Sequence, residues 1–278
     1  YKNWGAAMKN LRTIIVSAGI IIAFSFVFGL FVMCTAWLVS GAKLDVSRLS
    51  IIYRMSAFVC IVVLCIFWLG GSVRKNMIYR RISHMMETDG ATPQLYAILK
   101  NQADKARGTK AKAIALLNLA SYLTEGGHYK ECYEILEKIP IADLSPFYQD
   151  EYYNVYLYAK LLDGDIDGAE EIYAKARSNF DRARLREYNM PVLHTLGVYE
   201  YAKGNYTQAE TLLMQAKNNA QTKQEKADCS LYLGLCYLKT GRKEYAKAAA
   251  LEASGQVKTI YQKENLTKLM KLVEKAYG

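Results

Sequence analysis

The sequence predicts an all-α protein, with an N-terminal two-helix transmembrane hairpin followed by an α-helical solenoid of about four helical hairpins and flanking helices. Three observations predict it. Two long runs in the first third of the chain carry no charge. Beyond them, no run alternates apolar and polar residues as a half-buried strand would. A glycine-centred pattern then recurs four times at intervals of 37, 40 and 37 residues, the mark of stacked repeats.

The uncharged runs come first. Residues 13–42 (TIIVSAGIIIAFSFVFGLFVMCTAWLVSGA) and 55–73 (MSAFVCIVVLCIFWLGGSV) contain no Asp, Glu, Lys or Arg. At about 1.5 Å per helical residue the second run matches a hydrocarbon core of about 30 Å, and the first exceeds it. A signal peptide has a shorter apolar region and is not followed by a second such run. A soluble core helix rarely stays uncharged for so long. The spans are placed at about residues 13–41 and 51–73, within a membrane anchor covering 1–73.

Charge gives the orientation. The net charge is +10, yet residues 1–87 hold 10 Lys/Arg against 2 Asp/Glu, while residues 88–278 hold 26 against 24. This distribution does not ask for a nucleic-acid partner. Lys2, Lys9 and Arg12 precede the first span, and Arg74, Lys75, Arg80 and Arg81 follow the second. Basic flanks at both outer ends predict that both termini and the solenoid are cytoplasmic. Trp4, Trp37, Tyr53 and Trp68 fall near span ends as interfacial aromatics. Small residues four apart, Gly19/Ala23, Ser25/Gly29 and Ser56/Cys60, suit close packing within the hairpin, with a dimer face as the alternative. The chain begins without Met, which leaves room for a preceding segment.

The juxtamembrane linker, residues 74–92, mixes its basic residues with Met77, Ile78, Ile82, Met85 and Met86. It reads either as a helix along the inner leaflet, with Arg74, Lys75, Arg80 and Arg81 on anionic lipid, or as a continuation of the second span.

From residue 93 to 278 the pattern is helical. Four segments align on turn glycines Gly127, Gly164, Gly204 and Gly241. Five residues after each stands Cys132, Ala169, Ala209 or Ala246, and seven before it Ala120, Leu157, Gly197 or Gly234. Antiparallel helices that cross closely need small residues where their backbones meet, and the turn needs a residue that tolerates positive φ. No single hairpin buries both faces, so the hairpins must stack. The pattern resembles the tetratricopeptide repeat family, most closely in LGVYEYAKGNYTQA (196–209) and LGLCYLKTGRKEYA (233–246). The resemblance covers about residues 112–254. Lys160 and Glu200 depart from it where an aromatic is preferred, and the spacing exceeds the usual period of about 34 residues.

Two charged stretches invite other readings. DGDIDGAEEIYA (163–174) opens like a calcium loop but has Ala174 where a bidentate Glu belongs. It is expected instead to begin a helix, with Asp167 as N-cap and Glu170 completing a capping box, as Thr207 and Glu210 would in the next repeat. RSNFDRARLRE (177–187) reads as a solvated loop or helix start, with capture of phosphate or an acidic partner as the alternative.

No phosphate loop, nucleophile elbow, metal-ligand cluster or disulfide framework is present in the sequence, and His84, His128 and His194 are scattered. No catalytic, cofactor or metal site is therefore assigned, and the six cysteines are read as buried and reduced. The family resemblance implies that the first helix of each hairpin lines a groove for a peptide or helix. By that alignment the groove set is Asn118, Ser121, Asn154, Tyr158, His194, Tyr201, Leu231 and Tyr232. The family's clamp for chaperone tails uses Lys and Asn, and only the asparagines fit here. The expected role is a membrane-anchored adaptor or scaffold at the cytoplasmic face of a bacterial inner membrane, an accessory or assembly subunit of a membrane complex. The alternative is an oligomeric pore or transporter subunit regulated by the repeats, and a homo-oligomer fits either reading.

Overall fold

The computed structural model describes residues 3–41 and 45–277, in two compact units, Tyr1–Arg81 and Ile82–Gly278. Among the described residues there are α-helices and a single 3₁₀ turn, with no strand.

The first unit holds α1 (Asn3–Val39) and the beginning of α2 (Val46–Asp89). Their most apolar windows, Ala18–Val39 and Val46–Ile66, are long enough to cross a bilayer, and only 11% and 6% of them is buried. Ile20, Phe24, Phe31, Phe58 and Ile66 all point outward. A soluble core helix would bury such side chains. The two helices meet at Ser25 and Gly29, where a β-carbon on Gly29 would stand 2.8 Å from the Tyr53 ring. Tyr53 also lies 6.0 Å from Phe26 between ring centroids, so it packs within the helix pair rather than standing apart at an interface. Of the small-residue pairs, Ser25/Gly29 forms the seam, whereas Gly19 and Ala23 are exposed. Cys34 is exposed too, a departure from the expectation that all six cysteines are buried. Helix α2 runs on without a break to Asp89, as the continuation reading expects. The side chains of Arg74, Lys75, Arg80 and Arg81, and with them the lipid contact expected there, lie outside the described residues.

In the second unit α3 (Pro93–Lys105) leads in, its N-terminus capped by Thr92, whose hydroxyl accepts from the Leu95 amide. Four hairpins follow: α4 (Thr109–Glu125) with α5 (Tyr129–Leu136), and α6 (Pro146–Asp163) with α7 (Ile166–Lys175). Then come α9 (Met190–Ala202) with α10 (Tyr206–Asn219), and α11 (Lys223–Lys239) with α12 (Lys243–Ala253). A short helix, α8 (Arg177–Arg184), is inserted after the second hairpin and lengthens its spacing to the third; α13 (Ile260–Tyr277) closes the chain.

The turns repeat in atomic detail. Gly127, Gly164, Gly204 and Gly241 have φ of 75°, 80°, 83° and 77°. The amide after each reaches back five residues: His128 to Leu123 (2.8 Å), Asp165 to Lys160 (3.0 Å), Asn205 to Glu200 (2.9 Å) and Arg242 to Tyr237 (2.8 Å). This is a Schellman closure, which satisfies carbonyls that the helix end would otherwise orphan. The small residues five beyond, Cys132, Ala169, Ala209 and Ala246, have no exposed surface. Gly197 has none to spare: a β-carbon there would lie 2.6 Å from Leu213 of α10. Gly234 makes room chiefly for Leu269 of α13, also at 2.6 Å, and secondarily for Ala249 of its own hairpin.

Two local expectations are corrected. The N-cap of α7 is Asp165 rather than Asp167; its carboxylate accepts from the Gly168 amide at 2.9 Å and from Lys160 Nζ at 2.7 Å. Thr207 and Glu210 form no capping box either, because the helix again starts two residues after the turn glycine. Glu210 instead accepts from Arg242 Nη1 of the next hairpin, at 2.9 Å. A complete box forms at Thr222 and Glu225, where the sequence reading placed none. Of the two readings of the arginine-rich stretch, the helix start holds over Arg177–Arg184, which form α8; Asn179 and Arg182 of α8, with Arg186 just beyond it, donate to Asp150 of α6, which is 2% exposed.

The core falls into two clusters, one from Met85 at the end of α2 to α6 and one from α6 to α13, joined around Tyr153. The repeats curl until the ends of this unit touch: the Lys258 carbonyl oxygen lies 3.2 Å from where a β-carbon on Gly90 would stand.

Candidate functional site

The first helices of the hairpins, α4, α6, α9 and α11, turn one face each towards a common cavity of about 290 Å³. Its lining shows the helical period directly. Ser121, Thr124 and Glu125 come from α4; Glu151, Asn154, Val155 and Tyr158 from α6; Met190, Pro191, His194 and Thr195 from α9; Glu225 and Asp228 from α11. Positions three and four apart share a helix face, so each helix delivers one stripe.

One wall is aromatic. The His194 ring, 4% exposed, stands edge-on to Tyr158 at 5.6 Å and to Tyr232 at 5.7 Å, and Tyr232 continues to Tyr201 at 5.8 Å. Edge-to-face contacts at such separations are favourable and hold the rings in register.

The polar groups divide into satisfied and unsatisfied. Thr124 and Thr195 donate to carbonyls of their own helices, at Ala120 and Pro191, 3.0 Å in each case. Glu151 accepts from Arg186 Nη1 at 2.7 Å. Glu225 accepts from the Tyr188 hydroxyl at 2.6 Å and from the Gln221 and Thr222 amides, so its charge is tied into the start of α11. By contrast, buried Asn154 Oδ1 and His194 Nε2 have no hydrogen-bond partner among the described residues. His194 Nε2 lies 3.4 Å from Asp228 Oδ2, close enough for attraction if the ring is protonated but without the alignment of a hydrogen bond. Glu125 forms no hydrogen bond or ion pair among the described residues. Burial first, and then the like charge of Asp228, push its carboxyl up to about 8. The residue as a whole is half-buried in the lining of the cavity.

The predicted groove residues sort as follows. Ser121, Asn154, Tyr158 and His194 come together at the cavity. Tyr232 and Tyr201 stand behind it as the aromatic row, and Asn118, a turn before Ser121, is half-buried outside the lining. Leu231 does not face the groove. It is wholly buried in the larger core cluster, because the facing stripe of α11 passes through Glu225 and Asp228 rather than through 231. The four acidic residues are absent from the sequence-derived set, although Glu125 is four after Ser121 and Glu151 three before Asn154, within the same stripes. The space also differs from a groove for a helix. A helix is about 10 Å across with its side chains, whereas this cavity admits a side chain or an extended segment. Depressions along α13 and beside the α4–α5 turn are open surface and gather no orphaned polar atom among the described residues.

Residues 94–265, more than half of the chain, match the family model described as the SusR N-terminal TPR domain, and the chain belongs to that family. Comparison with curated proteins gave no match.

Proposed function

We propose, from its membership of this tetratricopeptide repeat family, that the chain is a membrane-anchored adaptor whose concave face binds another protein. In this reading α1 and the apolar part of α2 cross the membrane, and residues 82–278 work at its cytoplasmic face. The observation that carries the anchor is the outward exposure of two long apolar helical windows, which water would penalise at about 25 cal/mol per Å² of apolar surface. A tether of this kind raises the effective concentration of a partner that is itself membrane-bound. The basic flanks support the orientation. The facing stripes of α4, α6, α9 and α11, with their orphaned polar atoms, support the binding face.

A photo-crosslinking residue placed at exposed Ser121, at the cavity mouth, tests this in intact membranes beside the same residue at exposed Glu171 on α7. A discrete protein adduct from position 121 and none from 171 is expected. Adducts from 171 alone would refute the concave face as the binding surface.

A further inference from the structure

We infer that the cavity between α4, α6, α9 and α11 is a cation subsite, taking the guanidinium or ammonium head of an arginine or lysine side chain presented by the protein partner. This rests on the binding face proposed above and adds the chemistry of what enters it. Asn154 Oδ1 is a buried acceptor with nothing to accept from among the described residues. A Glu125 carboxylate, once ionised, also offers only acceptors, and no cation pairs with it among the described residues. His194 Nε2, on a ring more than nine-tenths buried, is likewise unbonded, with Asp228 3.4 Å away. Arg186, the described cation that reaches the lining, is already committed to Glu151 and Asp150. What the cavity lacks is therefore a donor-rich group of positive charge. A guanidinium supplies five N–H donors and an ammonium three. Neutral Asn154 and the acidic neighbours make this site opposite in charge to a clamp for carboxylate tails.

The full chain in maltoside micelles at pH 9 and low salt, titrated calorimetrically, tests the assignment. The probes are N-acetyl-argininamide, N-acetyl-lysinamide, the neutral isostere N-acetyl-citrullinamide, and agmatine. Both cationic amides are expected to bind at least tenfold more tightly than the citrulline amide. Glu125→Gln is expected to weaken them at least fivefold. Ser121→Lys, at an exposed position one turn from Glu125, is expected to abolish binding by placing a tethered ammonium in the site, and it does not depend on tolerance of a change in the interior. Equal binding of the arginine and citrulline amides, or unchanged binding in both variants, would overturn the subsite. Agmatine binding tenfold more tightly than the arginine amide would overturn the peptide source. Crosslinking at Ser121 without amide binding defeats the subsite alone, whereas amide binding without crosslinking defeats the adaptor reading and leaves the cavity chemistry standing.

Discussion

Glu125 shows how a single side chain can set a pH dependence. Its carboxyl ordinarily titrates at 4.5 and is raised to about 8 by burial and by Asp228. A raised acid favours the neutral form in the folded state, so its contribution to stability is complete below about pH 4.5 and is lost as pH rises through 8. Around it stand Asp228 and Glu225 from α11, Glu151 and Tyr158 from α6, His194 from α9 and, near the turn, Tyr129 of α5. Glu125→Gln, which cannot ionise, is expected to match the parent at pH 4.5 and to exceed it by about 2 kcal/mol at pH 9. The figure is well below the unscreened value, since the residue is only half-buried. Urea denaturation at both pH values checks this. A variant no more stable than the parent at pH 9 would show that the carboxyl is solvated and ordinary.

At the scale of elements, the chain places its turns by glycine and its crossings by small residues, and both were legible. Four glycines at φ near 80° end four helices, and four small residues with no exposed surface mark the crossings. Side-chain pairings between elements were not legible, because they join residues about 30 apart by geometry rather than by pattern. Asp150 is the clearest case. On α6 it looks like one more surface acid, yet α8 folds over it and supplies Asn179 and Arg182 as donors, and the turn after α8 supplies Arg186. Removing it would leave two arginines facing a buried gap. Asp150→Ala is expected to cost about 3 kcal/mol, at the lower end for a broken buried pair because Arg182 is partly exposed. A thermal scan of the full chain checks this, and a change under 1 kcal/mol would mean that α8 docks through Phe180 and Ala183 alone. The capping residues were misplaced for a related reason. The sequence shows an acid near a helix start, but only the turn geometry decides that Asp165 rather than Asp167 is the cap.

For the whole molecule the adaptor reading makes a topological prediction. The chain in native membranes should resist alkaline carbonate extraction, and protease should cleave its repeats in inside-out vesicles while leaving them intact in right-side-out ones. Release by carbonate would remove the anchor, and cleavage from the outer face would reverse the orientation. The curl of the second unit, which brings Lys258 against Gly90, is a property of the stacked array that no single repeat encodes. It narrows what the family pattern suggests as a groove into a cavity of side-chain size.

The sequence by itself determined the helical class, the two apolar runs, the position of each repeat turn and the residues that let helices cross. These are local matters of composition, backbone freedom and side-chain volume. Only the tertiary structure decided which face of each first helix points inward, that Leu231 belongs to the core, and that four acids gather beside His194. Those outcomes depend on the rotation of one hairpin against the next. A rotation of a single residue, about 100°, exchanges a cavity wall for a core contact without changing the pattern along the chain.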